Sequence, residues 1–509
     1  MRRLPSIALG TMLSLFPITG KTADIPVWWE TVLLDSRFPV ARMQKNMQAA
    51  CELITRKSLF PVSAGELAFE SVKALSTIDN KIRIVKDGKR VLILGADKIL
   101  KSFSAPDDSD CAGWSRLILA ATVEARPYSP KARAADAEEF YNIFLNAALA
   151  KIDSYSHYTG ADPTELTPLK DPASIGIAYR RVGKYLEITS ILPDGAAAQS
   201  DLTVGDRIAA IDSRPVSTLS RVEVLNLLRG EAGSDAFLTL RKDGRTQTRT
   251  LKRKPVSSSP VTYFFDEKNA LMTIKIAAFS ERAAAGLAFA LNKARTLGVK
   301  GLIIDLRGNT GGLLRQAVLC ADMFLPEGLR VIKTTGRAPE TEQTYTSTEK
   351  NNRPVYPIAL LVDAKTASSA EFFAGVLQEY RHGVVIGTPT FGKGVIQAND
   401  TLPDGGEIHL TWATYHLPSG YSPQGYGIYP NICTADAALS TIDNLPRPQT
   451  RLKPWRTGND DAKRRALQAC PPRPRSDNPV EDEVAKLLLT NPDAYERALT
   501  YFSLDSMEK

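Results

Sequence analysis

The sequence predicts an α/β multidomain chain: a helical N-terminal region, a small β-rich domain, an α/β layered domain with parallel strand-helix-strand units, and a C-terminal helical tail. Three observations predict it. Apolar residues recur at three- and four-residue spacing before about Tyr158. Short alternating runs take over from about Ser174 to Lys254. Apolar strand-like runs then alternate with helical ones from about Pro260 to Ile432. The 509 residues, 43% hydrophobic and 24% charged, are enough for a sizeable core. The net charge of +8 is spread thinly with no dense Lys/Arg block, which argues for solvated surface and against nucleic acid as a partner.

The first segment, "MRRLPSIALGTMLSLFPITGKTADIP", has two arginines, an apolar run from Leu4 to Ile18, and then small residues. That is the order of a secretory signal, so residues 1–23 are expected to be a signal peptide or an N-terminal anchor. Neither Thr19-Gly20 nor Thr22-Ala23 supplies an A-x-A cleavage pattern, which keeps the anchor open, although the run is short for spanning. A buried N-terminal helix is the bland alternative. The expectation is a periplasmic or secreted protein, tethered to the inner membrane if the segment is kept.

Five cysteines follow, with no C-x-x-C and no metal-ligand spacing to histidine, so no metal and no cofactor is expected. In an exported chain Cys51 with Cys111 and Cys433 with Cys470 are candidate disulfides, each within one terminal region, and Cys320 reads as a buried free thiol. Spacing alone leaves the connectivity open.

Residues 24–165 read as mainly helical, from "FPVARMQKNMQAACELI" and "AEEFYNIFLNAALAKI", with loop-rich pieces such as "SAPDDSDCAG" between. Residues 166–255 form the β-rich domain, whose strands surround one helix-like piece, "TLSRVEVLNLLRG". Its central phrase, "PDGAAAQSDLTVGDRIAAIDSRPV", resembles a PDZ domain through Pro193, Ala196 to Ala198, Leu202, Gly205, Asp206 and Ile208. The resemblance implies a peptide groove beside "SIGIAY", with backbone amides near Ile175, Gly176 and Ile177 taking a C-terminal carboxylate. Physically this is strand addition to a free sheet edge with anion capture by amides. Ser174 stands where the pattern usually has a glycine. A hinge or spacer is the bland reading of the same domain.

Residues 256–433 hold three loops with unusual content, each following an apolar strand. "LIIDLRGNTGG" carries Asp305, Arg307, Gly308, Gly311 and Gly312; "LLVDAKTASSAEFF" carries Ser368 and Ser369 at a helix start; "VVIGTPTFGKGVIQ" carries Lys393. Parallel strands would open all three on one sheet edge. A lysine amid apolar and glycine residues reads as placed for chemistry, because an unpaired buried charge is costly. An exposed strand lysine, and a plain helix N-cap for either serine, are the bland alternatives.

The order "DLRGNTGG", then Ser before "AEFFAGVLQEYRHGVVIGTPTFGKGVIQ", then "LPDGGEIHLTWATYHLPSGYSPQGYGIYPNI", resembles the C-terminal processing peptidases, or tail-specific proteases. "DSYSHYTG" at Asp153 is similar to that family's D-P-H-S-x-Y pattern, and the resemblance runs from about Asp153 to Ile432. It implies a serine endopeptidase with a Ser/Lys pair assisted by Gln. The family nucleophile lies three residues before the helix glutamate, here Glu371, and 25 before the lysine of F-G-K-G, here Lys393; both counts select Ser368, with Ser369 the fallback. Lys393 is then the general base, neutral through burial that Phe391, Val395 and Ile396 are expected to supply, and Gln397 orients it. The oxyanion hole falls to the amide of Ser369 and one of Gly311 or Gly312. Asp305 and Arg307 read as loop-shaping partners. A Ser/His triad would need His382, His409 or His416 beside the serine, and none sits in a triad-like phrase.

The expected function is an exported endopeptidase that recognises C-terminal tails of protein substrates and cleaves through an acyl-enzyme. The alternative is a PDZ-bearing scaffold with an inactive peptidase fold. Partners are protein or peptide substrates with accessible C-termini, with room for an adaptor or activator protein and for a homo-oligomer. The tail, residues 434–509, reads as part basic connector, "LPRPQTRLKPWRTGNDDAKRR", and part helix, "EDEVAKLLLTNPDAYERAL".

Overall fold

A computed structural model describes residues 38–95, 98–160, 172–191, 195–242, 245–254, 260–348, 355–435, 459–474 and 480–499; the expected signal or anchor at 1–23 lies outside them. The architecture is mixed α/β, in two compact units. One is Ala161–Ser258, and the other joins the residues up to Gly160 to those from Ser259 on.

Helix α1 (Val40–Lys57) buries Val40, Met43, Met47, Ala50 and Ile54, the three- and four-residue stripe of the sequence. Helix α2 (Ala64–Lys73) starts on a capping box in which Ser63 and Glu66 satisfy each other's amides. The chain then departs from the helical expectation. Residues 82–104 form a three-stranded antiparallel meander, β1 (Ile82–Asp87), β2 (Arg90–Gly95) and β3 (Lys98–Ser104). Its signals are period-two burial of Ile82, Ile84, Val91 and Ile93 and an Asp87-Gly88 turn, features that three-residue spacing on either side obscures. Helices α3 (Cys111–Ala125) and α4 (Ala137–Ala150) follow, capped by Asp110 and Asp136. A short strand, β4 (His157–Thr159), leaves this region.

The intervening unit contains β5 (Pro172–Ser174), β6 (Ile177–Val182), β7 (Tyr185–Ile191), β8 (Arg207–Ile211), α5 (Arg221–Leu228), β9 (Arg229–Glu231), β10 (Asp235–Lys242) and β11 (Arg245–Lys252). The sheet order is β11-β10-β8-β7-β6, all antiparallel, with β5 paired to β9. Its own core gathers Ile175, Leu186, Ile188, Ile208, Val224 and Leu238.

The larger unit continues with β12 (Val261–Asp266), β13 (Leu271–Ile276), α6 (Ala283–Thr296), β14 (Gly301–Asp305), α7 (Leu314–Asp322), β15 (Arg330–Gly336), β16 (Gln343–Thr346), β17 (Ile358–Val362), α8 (Ser369–Glu379), β18 (Val384–Gly387), β19 (Val395–Thr401), β20 (Glu407–His416) and β21 (Ile432–Cys433). The main sheet runs β12-β13-β14-β17-β18-β21, parallel from β13 onward. Its central strands β14, β17 and β18 are buried on both faces. Leu302, Ile304, Leu360 and Val362 pack toward α6, α7 and α8. Ile303, Ala359, Leu361 and Ile386 pack against the tail helices α10 (Val480–Leu489) and α11 (Pro492–Leu499). The tail thus supplies the second helical layer of the sheet. Ahead of those, α9 (Asp460–Ala469) is held by a Cys433–Cys470 disulfide to β21. Cys51 and Cys111 join α1 to α3, and Cys320 is a buried free thiol.

A second sheet, β16-β15-β20-β19, has β4 beside β20. Leu402, Ile408 and Leu410 of its hairpin belong to the core of the N-terminal helices. The N-terminal region is therefore seated on the strands that follow Lys393. Among the described residues no helix is long and apolar enough to cross a membrane.

Candidate active site

Strands β14, β17 and β18 are parallel neighbours, so the three singled-out loops leave the same edge of the main sheet. The middle loop ends at Ser368, the N-cap of α8, whose backbone adopts φ 55° and ψ −120°. A non-glycine residue there stores strain of about 1–3 kcal/mol and persists only where its surroundings over-determine it. Four hydrogen bonds do so: the Ser368 amide donates to Glu371 Oε2 at 2.8 Å, and its carbonyl accepts from the Glu371 amide at 2.8 Å, the Phe372 amide at 3.2 Å and the Tyr415 hydroxyl at 3.2 Å. The adjacent Ser369 hydroxyl is engaged differently, donating to the Gly312 carbonyl at 2.9 Å.

The glycine loop lies against this helix start. A Cβ on Gly311 would sit 2.9 Å from Ser368 Cβ and 3.0 Å from the Ser369 nitrogen, and φ there is +102°, so only glycine fits. The Gly311 amide is already used: it donates to Asn309 Oδ1 at 2.8 Å, while Asn309 Nδ2 donates to the Ile276 carbonyl at 2.8 Å. Phe279 pairs with the loop through Gly311 O and Leu313 N. Gly312 lies against Phe279, where a Cβ would meet the Phe279 carbonyl oxygen at 2.6 Å, and its own carbonyl accepts from the Ser369 hydroxyl. Of the two candidate glycine donors, Gly312 is the one whose amide Asn309 does not occupy.

Lys393 is half-buried, and its Nζ donates to Gln397 Oε1 at 2.6 Å. Gln397 Nε2 in turn donates to the Tyr155 carbonyl at 2.7 Å. The amine gives its hydrogen bond to Gln397 and none to the Ser368 hydroxyl. Desolvation pushes the Lys393 pKa below its ordinary value, opposed by the charges of Asp153 and Glu371. One expected source of that desolvation is corrected. Phe391 is 55% exposed and turns to solvent, whereas the Tyr155 ring lies 5.1 Å from the amine.

Sequence reasoning missed Glu371 as a functional residue. It is fully buried, and its two oxygens accept from the amides of Ser368, Gly392 and Lys393 and from the Thr390 hydroxyl. Burial pushes its pKa up to about 7. The available signal was a charged residue between alanine and two phenylalanines in a helix start. Gly392, at φ +90°, lets this loop pass within contact of Tyr426, where a Cβ would meet backbone at 2.9 Å.

Asp305 and Arg307 form a buried pair, bonded at 2.8–3.0 Å, and Arg307 also reaches Asp482 and Glu481 of α10. They fasten the glycine loop to the tail. Histidine is used elsewhere: His409 stacks on His157 at 4.4 Å and bonds Asn399, and His416 bonds Thr335 and Thr414. Among the described residues no His/Cys/Asp/Glu cluster could hold a metal ion.

In the β-rich unit, Ile175 is fully buried in the core and its carbonyl accepts from Ala197. The Gly176 amide donates to the Ser174 hydroxyl at 3.1 Å, so an incoming carboxylate would have to displace that contact. Ile177 begins edge strand β6, which among the described residues is paired on one side only, to β7.

Comparison with known proteins follows the same division. Residues 271–434 match peptidase family S41, and residues 187–242 match the PDZ domain. A carboxy-terminal-processing protease of Bartonella bacilliformis is 28% identical over 352 residues, covering 67% of this chain and 80% of that protein. A probable CtpA-like serine protease of Staphylococcus aureus is 28% identical over 313 residues, 61% of this chain and 62% of the relative, and the Staphylococcus haemolyticus counterpart is covered to 60%. The chain thus spans about three fifths of the staphylococcal relatives. Among solved structures, a photosystem II D1 C-terminal processing protease is 22% identical, with a TM-score of 0.42, covering 82% of this chain and 98% of that one.

Proposed function

We propose that this chain, whose residues 271–434 match peptidase family S41 and residues 187–242 the PDZ domain, acts as a carboxy-terminal-processing serine peptidase like the relatives it resembles, cleaving polypeptides through Ser368, Lys393 and Gln397. Ser368 is the nucleophile. The observation that carries this choice is its strained, over-determined backbone at a helix N-terminus, beside a glycine loop, while Ser369 spends its hydroxyl on Gly312.

Lys393 serves as general base because its desolvated amine is neutral at lower pH than an exposed lysine. It takes the Ser368 proton as Oγ attacks the scissile carbonyl. Catalytic hydrogen bonds commonly tighten only when substrate is engaged, so the amine turns from Gln397 toward Ser368 in the complex. The amides of Ser369 and Gly312 receive the oxyanion, with the dipole of α8 adding to them. The ammonium then protonates the leaving amine, giving an acyl ester on Ser368. Water, deprotonated by the same lysine, releases it.

The PDZ unit captures accessible C-terminal tails of protein substrates at the β6 edge, which raises their concentration at the peptidase. The two disulfides fit an oxidising compartment, and with the N-terminal segment they support export to the periplasm or beyond. Labelling purified protein with a fluorophosphonate tests the reading. Labelling lost in Ser368→Ala and kept in Ser369→Ala supports it. Labelling of no serine in the folded wild type would instead favour the inactive scaffold.

A further inference from the structure

We propose that Tyr155 is a positioning residue for the lysine base, delivered to the site by the N-terminal helical region; this rests on the Ser368/Lys393 reading. Four contacts converge on this residue. Its ring face lies 5.1 Å from Lys393 Nζ, within cation–π range. Its carbonyl accepts Gln397 Nε2 at 2.7 Å, and His157 Nδ1 lies 2.9 Å from the same oxygen. Its amide donates to Asp153 Oδ1 at 2.6 Å, and that carboxylate also takes the amide and hydroxyl of Ser156.

The consequence for Gln397 is directional. A carbonyl only accepts, so the Tyr155 oxygen obliges the Gln397 amide to present its NH₂ there and its oxygen to Lys393. Reversing the amide would set two acceptors against each other at the carbonyl and aim an N–H at the lone pair that the neutral amine needs as a base. The orientation of the base is thereby decided by a backbone atom outside the peptidase sheet.

The consequence for charge is stabilisation at the right moment. When Lys393 has taken the Ser368 proton, an ammonium stands in a half-buried site. The negative face of the Tyr155 ring is a surface on which it can form without a hydrated counter-ion. The carboxylates acting on that amine are Asp153, on the same segment, and Glu371, on α8. Neither reaches it by a direct hydrogen bond, so the ring face stands beside Gln397 as a cation-stabilising group in contact with the amine.

The segment is carried by the N-terminal region. It follows α4 and enters β4, which pairs with β20 through His157–His409, and the Ser156 hydroxyl accepts the Thr411 amide at 3.0 Å. Asn146 of α4 bonds both backbone groups of Tyr158. How those helices seat on the β19–β20 hairpin therefore sets where Tyr155 meets the lysine.

The test compares Tyr155→Leu and Tyr155→Phe with wild type, following the rate of fluorophosphonate labelling of Ser368 against pH, with folding checked by denaturant melts. In Tyr155→Leu the loss of the ring face removes stabilisation of the cation. The acid limb is expected to move about half a pH unit lower, and the maximum rate to fall about fivefold. Tyr155→Phe keeps ring and carbonyl and should reproduce the wild-type profile. An acid limb that stays in place or moves upward in a folded Tyr155→Leu protein overturns the proposal. Lys393→Ala, run alongside, tests the underlying reading separately: labelling that survives it removes the lysine from the mechanism whatever Tyr155 does.

Discussion

The backbone amides of Ser368 and Lys393 are held by one oxygen atom: Glu371 Oε2 accepts both, each at 2.8 Å. The distance between a nucleophile and its base is usually argued from their side chains. Here the main chains of the proposed nucleophile and the proposed base are fastened to a single buried carboxylate, whose other oxygen holds Thr390 and Gly392.

Glu371→Gln should lower activity about 10²-fold while leaving the protein folded, because an amide retains one acceptor oxygen and sets an NH₂ against the remaining donors. The same variant isolates a pH effect on stability. A buried carboxyl whose folded pKa is about 7, above the unfolded value of 4.5, disfavours the native state as pH rises between those values. Wild-type stability should therefore fall relative to Glu371→Gln by up to about 3 kcal/mol between pH 4.5 and 7, as urea melts would reveal.

Ser368→Ala should abolish peptide hydrolysis, a loss of about 10⁴-fold or more. Ser369→Ala removes the hydroxyl that holds the Gly312 carbonyl, a contact of about 1 kcal/mol, and should slow turnover only about fivefold. Equal losses in the two variants, measured on an unfolded protein substrate, would argue against the assignment of Ser368.

Activity should rise with pH along a limb set by Lys393, at lower pH than an exposed lysine would give, since burial favours the neutral amine that accepts the proton. Lys393→Arg should be inactive at every accessible pH, because a guanidinium does not deprotonate. Below its folded pKa the buried cation opposes folding, and this effect disappears above the unfolded value. Lys393→Met is thus expected to melt at higher denaturant concentration than wild type at neutral pH, the reverse of the order in activity.

Reducing the Cys433–Cys470 bridge opens a loop of 37 residues, which a chain-entropy estimate values at about 4 kcal/mol. Its local effect should be on α9, where Lys463 lies over the rings of Tyr421 and Tyr426, and on the neighbouring Gly392 turn. Hydrogen exchange should quicken first at residues 460–469 in a Cys470→Ser variant, with the main sheet still protected.

The layered α/β domain was legible because its signals are local. Apolar runs of strand length alternate with helical ones, and each chemically loaded loop follows such a run. The order of Ser368, Lys393 and Gln397 could be counted along the chain. The meander at residues 82–104 was missed for a local reason as well, its period of two being short and flanked by strong helical stripes.

What the sequence determined by itself is most of the elements and the loops that carry Ser368, Lys393 and Gln397, since periodicity, turn chemistry and spacing are properties of neighbours in the chain. Tertiary structure alone decided which partner satisfies each buried polar group. Asn309 claims the Gly311 amide, Glu371 joins two loops, the tail helices close the far face of the sheet, and Tyr155 meets Gln397 across 242 positions of sequence. Such pairings are set by the need of buried donors and acceptors to find one another once water is excluded. That need acts between segments whose proximity no local pattern encodes.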